Sequence, residues 1–213
     1  MKKSTLLALA IATFSAVPFV SAQTQAVSTN TAVMQQTITQ AEKDSIFWML
    51  EEEKFAHDVY QVLYKKWGHR IFNNIAKAEQ QHISAMRYLA SKYNVTNTTY
   101  SEAGKFHNAE LQKLYDQLVA RGQQSLEEAL KVGAEIEELD ISALNKLSAA
   151  TQNSEIKSVF AQLNKGSRNH LRSFTRVLNQ YKVEYKPMHL SQAEYDTIVR
   201  SKMERGNGGF RAN

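Results

Sequence analysis

Five side chains that can bind a metal ion interrupt the apolar stripes of this 213-residue sequence. Glu79 and His82 are three residues apart, a spacing that places both on one face of a helix. Glu53, Glu137 and His170 occur singly, each among apolar residues that recur at helical spacing. Buried carboxylates that converge repel one another unless a cation lies between them. The pattern therefore predicts a carboxylate–histidine site for a divalent metal ion.

The available ligand types narrow the choice of metal. The chain contains no cysteine, which excludes thiolate ligands and disulfides. Carboxylates and imidazoles suit iron, manganese or zinc better than Cu(I). We expect iron, with manganese and zinc as alternatives. His57, one turn beyond Glu53, and Asp140, three residues after Glu137, are further candidate ligands, either direct or through a hydrogen bond to a ligand.

Each candidate also has an interpretation without a metal. Glu53 belongs to the acidic run 51–53, which is an ordinary solvated face in many helices. Glu137 competes with its acidic neighbours at 135 and 138 for the inward position. His170 is also compatible with a core histidine that hydrogen-bonds a carbonyl. Tyr60 is expected to pack in the core, with a hydrogen bond to a ligand as the alternative. The joint occurrence on four predicted helices favours the metal site.

Apolar periodicity predicts six helices, which would position these residues. Their approximate limits are 41–67, 71–93, 109–121, 126–149, 154–182 and 192–203. Three of them are preceded by pairs with the spacing of a capping box, namely Thr39/Glu42, Ser125/Glu128 and Ser191/Glu194. Each of the four long helices brings at least one candidate ligand inward near its middle.

The connections between these helices predict the fold class. Short connections join the first two long helices and the last two, so each pair should form an antiparallel hairpin. About 31 residues (94–124) separate the pairs, enough to span a helix about 30 Å long. We therefore expect an all-α, ferritin-like four-helix bundle: two antiparallel hairpins joined by a long crossover that contains a short helix, plus a C-terminal helix.

The chain termini are predicted to lie outside this domain, which covers residues 39–205. Residues 1–22 have a basic start, a short apolar run and a small-residue cleavage pattern, which predict a signal peptide. An uncleaved membrane anchor is the alternative, but the run is short and contains Pro18. Residues 23–38 should be a flexible segment and residues 206–213 a disordered tail. A bacterial periplasmic or secreted location follows, without stable membrane insertion after cleavage.

The charge pattern limits the partners. The formal net charge of +5 is scattered among acidic residues, without the basic and aromatic stripe that follows a phosphate backbone. Nucleic acid is therefore not an expected partner. The expected partners are a metal ion and a small oxidant such as oxygen or peroxide, and the sequence also allows a homo-oligomer.

Several stretches resemble the ferritin-like family called domain of unknown function 2202. They are EEEKFAHDVY (51–60), FNNIAKAEQQH (72–82), FHNAELQKLYDQLV (106–119), VGAEIEELDI (132–141), GSRNHLRSF (166–174) and HLSQAEYDTIV (189–199). Together they span about residues 41–205. The resemblance implies a ferritin-like fold and a metal centre, but it does not specify an activity.

Rubrerythrin-like relatives of that family provide a ligand pattern for comparison. Glu53 resembles their first-helix ligand, Glu79 and His82 match the first Glu-x-x-His motif, and Glu137 is similar to their third-helix carboxylate. The resemblance ends in the last long helix, where Ser167 replaces the glutamate three residues before the histidine.

This substitution removes one bridging carboxylate, so the resemblance implies a single metal or an asymmetric pair completed by His57, Asp140 or water. Without cysteines, the chain has no rubredoxin-like electron-transfer module. Three functions follow as hypotheses. The protein is a redox metalloenzyme that acts on oxygen, peroxide or Fe(II), a non-catalytic metal-binding or sequestration protein, or a metal-free structural bundle of the cell envelope.

Overall fold

The computed structural model of the protein describes residues 37–96 and 99–205. The predicted signal peptide, the predicted tail and nearly all of the predicted flexible segment lie outside the described residues. Within those ranges the chain is all-helical, with six helices and no strand. The helices are α1 Gln40–Trp67, α2 Arg70–Lys92, α3 Ala109–Gly122, α4 Leu126–Ala150, α5 Ser154–Gln180 and α6 Gln192–Arg200.

The six predicted helices are confirmed, and their limits agree with the prediction to within one residue except at two C-terminal ends. α5 ends at Gln180 rather than 182, because Lys182 adopts a left-handed backbone conformation with φ 58°. α6 ends at Arg200 rather than 203, because Ser201 is extended. None of the helices in the described ranges is long and apolar enough to cross a membrane.

Side-chain caps define the helix starts. The capping boxes at α1 and α6 are confirmed, with reciprocal side-chain and backbone hydrogen bonds. At α4, Ser125 accepts a hydrogen bond from the backbone N–H of Glu128, but the predicted return bond is not formed. The Glu128 carboxylate instead accepts a hydrogen bond from Lys131 at 2.9 Å. Of the capping box predicted at α4, only the hydrogen bond to Ser125 is therefore formed.

The four long helices pack as two pairs. α1 packs against α2 and α4 against α5, and the pairs meet through contacts of α1 with α4 and of α2 with α5. α3 lies on α1 and α4, whereas α6 lies on α5. The buried carboxylate of Glu51 helps to hold the segment before α3, because it accepts hydrogen bonds from the backbone N–H groups of His107 and Asn108.

The apolar core is divided into two clusters along these four helices. The largest fully buried side chains of the first cluster include Phe55, Tyr60, Phe72 and Phe174, and those of the second include Ile46, Met49, Met86 and Phe160. On α1, α2 and α5 the candidate ligands lie in sequence between members of the two clusters, and on α4 Glu137 lies within the first cluster, seven residues before Leu144 of the second. The polar side chains therefore lie at mid-height, with apolar packing on either side.

Candidate metal centre

Two groups of three side chains meet at this mid-height position. The first consists of Glu53, Glu79 and His82, and the second of Glu79, Glu137 and His170. In each group, one ligand atom per residue lies within 4.8 Å of the others. Glu79 belongs to both. We call these groups the first and second triplets, and together the centre. Each triplet could hold a metal ion, and the two triplets share the Glu79 carboxylate.

Each oxygen of Glu79 faces a different imidazole. His82 Nδ1 is 2.7 Å from Glu79 Oε2 and 3.1 Å from Glu53 Oε2. His170 Nδ1 is 2.9 Å from Glu79 Oε1 and 3.4 Å from Glu137 Oε2. Both histidines thus direct Nδ1 into the centre. All four long helices contribute, and α2 supplies the shared carboxylate.

The buried atoms of the centre lack ordinary hydrogen-bond partners. The side chains of Glu53, Glu79 and Glu137 have no solvent exposure. One oxygen each of Glu53 and Glu137, both oxygens of Glu79, and His170 Nδ1 are buried without a hydrogen bond. His82 and His170 approach Glu79 closely, but these contacts do not have the geometry of hydrogen bonds. Unsatisfied buried polar atoms are costly, and carboxylate and imidazole atoms that converge in this way suit a divalent cation.

The pKa shifts within the centre agree with a site that suits a divalent cation. Burial raises the pKa of Glu53 to about 7, although His82 opposes the shift. Burial acts on Glu79 in the same way, but His170 and His82 outweigh it and lower its pKa. Burial lowers the pKa of His170, but Glu79 and Glu137 outweigh it and raise the pKa to about 10. Protons on the imidazoles thus balance the carboxylates, and a bound cation would replace those protons.

Tyr60 supports the second triplet directly. Its buried hydroxyl donates a hydrogen bond to Glu137 Oε1 at 2.5 Å and lies 3.2 Å from the carbonyl oxygen of Gly133. Its ring also contacts Phe174. Tyr60 therefore both packs in the core and orients a candidate ligand, whereas packing alone was the favoured expectation from sequence.

The two additional candidates lie outside both triplets. Asp140 is 1% exposed, and neither of its oxygens has a hydrogen-bond partner. Burial raises its pKa, and the charge of Glu52 adds to the shift. His57 is half-buried, with Nδ1 3.0 Å from Asp58 Oδ1. The structure thus brings Asp140 among the buried carboxylates and leaves His57 beside Asp58.

Glu52 is a further buried carboxylate near the centre, which the apolar spacing of α1 did not indicate. The alternative interpretation of residues 51–53 as a solvated face is wrong, because all three glutamates are buried, including Glu53, which was predicted to point inward. Glu52 accepts a hydrogen bond from Trp48 Nε1 at 3.1 Å. Burial raises its pKa to about 8, and the charge of Glu53 adds to the shift. The signal in the sequence was the tryptophan one turn earlier, which can donate to a carboxylate at i+4.

The three acidic residues near the middle of α4 have separate roles. Glu135 forms an ion pair with Arg121, and its Oε1 lies 3.5 Å from His189 Nε2. Glu138 accepts hydrogen bonds from the backbone N–H groups of residues 188–190 and from Tyr185. Only Glu137 joins a triplet, in agreement with the expected inward position. The buried neighbours tie other parts of the chain to α4.

Ser167 does not reach into the centre. It is buried and donates a hydrogen bond from its hydroxyl to the carbonyl oxygen of Leu163 at 3.2 Å. α5 therefore supplies only His170. The substitution that interrupts the second Glu-x-x-His motif removes one bridging position, yet each triplet retains a glutamate of its own, a histidine and the shared Glu79.

Gly166 provides the space for the ring of His82. A Cβ atom at this position would lie 2.5 Å from His82 Nε2 and 2.6 Å from Cε1. The ring cannot move away freely, because its Nδ1 atom is held between Glu53 and Glu79. The absence of a side chain at Gly166 therefore leaves the space that the His82 ring occupies in the first triplet.

We expect Gly166→Ala to weaken metal binding at the first triplet by about tenfold to a hundredfold, the usual range for residues that orient ligands. The displaced ring would pull Nδ1 from Glu53 and Glu79. Binding at the second triplet should change little, whereas the displacement of the His82 ring should lower the stability of the metal-free protein, although alanine favours a helix more than glycine does. Calorimetric titration with Zn²⁺ measures both affinities. Ser173→Ala, also on α5, is the control. Equal weakening of both triplets would contradict this role.

Comparison with known proteins gives one consistent family. The model of "Uncharacterized protein domain (DUF2202)" matches residues 42–202. An uncharacterized protein of Methanocaldococcus jannaschii, MJ0754, is 47% identical over 172 residues, which cover 80% of this chain and 93% of that protein. The crystal structure of hypothetical protein MJ0754 from the same organism is similar with a TM-score of 0.77 and 46% identity, over 79% of this chain and 97% of that one.

Proposed function

The chain belongs to the DUF2202 family of uncharacterized protein domains, and from its site we propose that it binds two divalent metal ions. Glu53 and His82 would hold one ion, Glu137 and His170 the other, and Glu79 would bridge them. The observation that carries this proposal is the pair of triplets that share Glu79, whose buried oxygens both lack hydrogen bonds.

The surrounding residues would complete and orient the ligand set. Asp140 is the proposed additional ligand, because its buried oxygens have no other partner. His57 is the weaker candidate, since it lies against Asp58. Tyr60 would hold Glu137 in position through its hydrogen bond. The apolar clusters on both sides would limit the entry of water and strengthen the electrostatic attraction between the carboxylates and the cations.

We propose iron as the metal, with manganese and zinc as alternatives, because all three accept this mixture of carboxylate and imidazole ligands. Bound iron would supply redox chemistry toward oxygen, peroxide or Fe(II). The partial exposure of the His82 and His170 side chains, 14% and 12%, favours a site that small molecules can reach. A non-catalytic role in holding metal is the second candidate, favoured by the lack of any exposed carboxylate among the five residues of the centre.

A ferritin-like arrangement of the four long helices is part of the proposal. Thr151, directly after α4, contacts Glu42 near the start of α1. Tyr60, toward the end of α1, contacts Gly133 near the start of α4. These contacts support antiparallel packing of α1 and α4. Since α1 and α2 are joined by only two residues, α2 and α4 would run in the same direction. The segment between them would then cross the height of the bundle, as in ferritin-like topology.

Export to the periplasm or beyond is proposed from residues 1–22 alone. Determination of the N-terminus of the protein recovered from its native cells provides the test. Export with cleavage predicts a chain that begins at Gln23, whereas a chain that retains residues 1–22 would contradict it.

Metal analysis of protein purified from its own cells tests the proposed function. Two equivalents of iron per chain, followed by turnover of peroxide or Fe(II), would support a redox enzyme. Tightly bound metal without turnover would support the non-catalytic role. No metal above trace amounts, together with no binding of Fe(II), Mn²⁺ or Zn²⁺ in titration, would overturn both.

A further inference from the structure

Two further buried carboxylates, Glu52 and Asp140, lie beside the centre and outside both triplets. Glu52 is 5% exposed and Asp140 is 1% exposed. Burial raises the pKa of Asp140, and among nearby charges that of Glu52 adds most, followed by Glu53 and Glu137. Burial and the charge of Glu53 also raise the pKa of Glu52, which the exposed Lys146 opposes. The carboxylates therefore form a series from the surface near Lys146 to both triplets, with Glu52 outermost.

Most oxygens of this series lack a hydrogen-bond partner. Both oxygens of Asp140 are buried without a hydrogen bond. Glu53 directs Oε2 toward His82 Nδ1 at 3.1 Å, while its other oxygen, Oε1, is also buried without a hydrogen bond. Glu52 Oε2 accepts one hydrogen bond, from Trp48 Nε1 at 3.1 Å. Buried oxygens without partners are costly, so this series supplies oxygen ligands that the protein itself does not satisfy.

The histidines close the opposite side of the bundle. α1 and α4 carry Glu52 and Asp140, whereas α2 and α5 carry His82 and His170, and the two helix pairs lie on opposite sides. The two imidazole rings stack with centroids 5.6 Å apart, and Gly166 packs directly against the ring of His82. A hydrated cation that arrived from that side would have to displace the rings, whereas from the α1–α4 side it meets carboxylate oxygens.

We propose that Glu52 and Asp140 form a capture position through which a divalent cation enters the centre from the α1–α4 side. The proposal rests on the metal centre proposed above and adds the path by which that centre is filled. The ion would exchange part of its water shell for oxygens of these two carboxylates and keep the other waters, as Mg²⁺ and Ca²⁺ commonly do in proteins. Glu53 would then accept the ion through Oε1 and transfer it to His82.

The capture position has a different ligand chemistry from the triplets. It offers only carboxylate oxygens and water, whereas each triplet adds an imidazole, which binds transition metals more tightly. The entering cation would displace the protons that burial keeps on these carboxyl groups, because metal binding releases protons from its ligands. Each step exchanges one set of oxygen ligands for another, which avoids the large cost of moving a bare charge through apolar packing.

Trp48 makes the capture step observable, because its indole N–H donates a hydrogen bond to Glu52. The chain has two tryptophans, and the other, Trp67, donates its hydrogen bond to the carbonyl oxygen of Gly122. In the full-length Trp67→Phe variant, all tryptophan fluorescence therefore comes from Trp48. On rapid mixing with Co²⁺, a paramagnetic quencher, we expect this fluorescence to fall before the visible absorption of histidine-bound Co²⁺ appears.

The variant Glu52→Gln, made in the Trp67→Phe background, supplies the decisive comparison. Glutamine retains an oxygen that can accept the hydrogen bond from Trp48 but cannot carry the negative charge. The early loss of fluorescence should disappear, and histidine-bound Co²⁺ should form about tenfold more slowly at low salt, the lower end of the effect of charges that steer ions into a site. Two ions should still bind at equilibrium, because Glu52 belongs to neither triplet.

The matched control is Glu127→Gln, which makes the same charge change at an exposed position on α4 and should alter neither phase. An unchanged uptake rate in Glu52→Gln, equal slowing in Glu127→Gln, or the loss of one ion in Glu52→Gln would each overturn the capture position. Simultaneous fluorescence and absorption changes in Trp67→Phe would also overturn it, and two ions bound at equilibrium would then leave the metal centre intact. No histidine-bound Co²⁺ at equilibrium in any variant would overturn both proposals.

Discussion

Replacement of Glu79 by glutamine is expected to remove both metal ions. Glu79 is the only residue common to the two triplets, with one oxygen facing each histidine. Glutamine keeps the shape but removes the negative charge and leaves only one acceptor oxygen. The affinity at each position should fall by about a hundredfold or more, beyond the effect of residues that only orient a ligand. Metal stoichiometry after dialysis should fall from two per chain to none.

Single-triplet variants provide the comparison for this result. Glu53→Gln and Glu137→Gln should each lose one metal ion, because each removes a ligand from one triplet only. Glu102→Gln, at an exposed position, should lose neither. Circular dichroism should show folded helices in all variants. If Glu79→Gln retained two ions, or if Glu53→Gln and Glu137→Gln each lost both, the assignment of a shared carboxylate between two positions would be wrong.

The metal-free protein is expected to become less stable as the pH rises from about 6 to about 10. In the folded chain the pKa is about 7 for Glu53, about 8 for Glu52 and about 10 for His170, against ordinary values of 4.5, 4.5 and 6.5. All three are raised, so the folded protein binds more protons than the unfolded chain over this range. Stability must then decrease with pH, by an amount on the order of a few kcal/mol.

Bound metal should oppose this loss of stability at high pH. A cation replaces the protons that balance the buried carboxylates, and higher pH favours metal binding because its ligands must be deprotonated. Ligand binding to the folded state adds stability, about 4 kcal/mol at a thousandfold excess over Kd. Urea unfolding with and without Zn²⁺ should therefore give a difference that grows between pH 6 and pH 9.

The variant Glu53→Gln offers a control for the pH dependence, because it removes one of the groups that titrate in this range. Its metal-free form should lose less stability with rising pH than the original protein. A metal-free protein whose stability is flat or increases over this interval would contradict the proton balance inferred for the centre.

The sequence was sufficient for the helices and for the choice of inward residues. Glu53, Glu137 and His170 could be selected because helical periodicity aligned them with large apolar residues. The two glutamates are fully buried and His170 directs Nδ1 toward Glu79, which confirms their inward positions. The all-helical class followed from the same periodicity and from the capping pairs. These predictions depend on local spacing, which a single sequence reveals directly.

Contacts between helices could not be read in this way. Glu52 is buried close enough to α4 for its charge to interact with Lys146 and Asp140, and periodicity, which selected Glu53 as inward, did not indicate this. The contact of Gly166 with His82 joins residues 84 positions apart in sequence. Likewise, Ser167 suggested an asymmetric centre, yet the triplets have matching side-chain types because Glu79 lies between both histidines. Each of these features arises from tertiary packing.

Anomalous X-ray diffraction from crystals of the iron-loaded protein would show whether two metal positions share Glu79. We expect two anomalous peaks per chain, about 3.5–4 Å apart as in known two-metal sites. One peak should lie against Glu53, Glu79 and His82 and the other against Glu79, Glu137 and His170. A single peak, peaks at other residues, or no peak in protein that had been saturated with iron would contradict it.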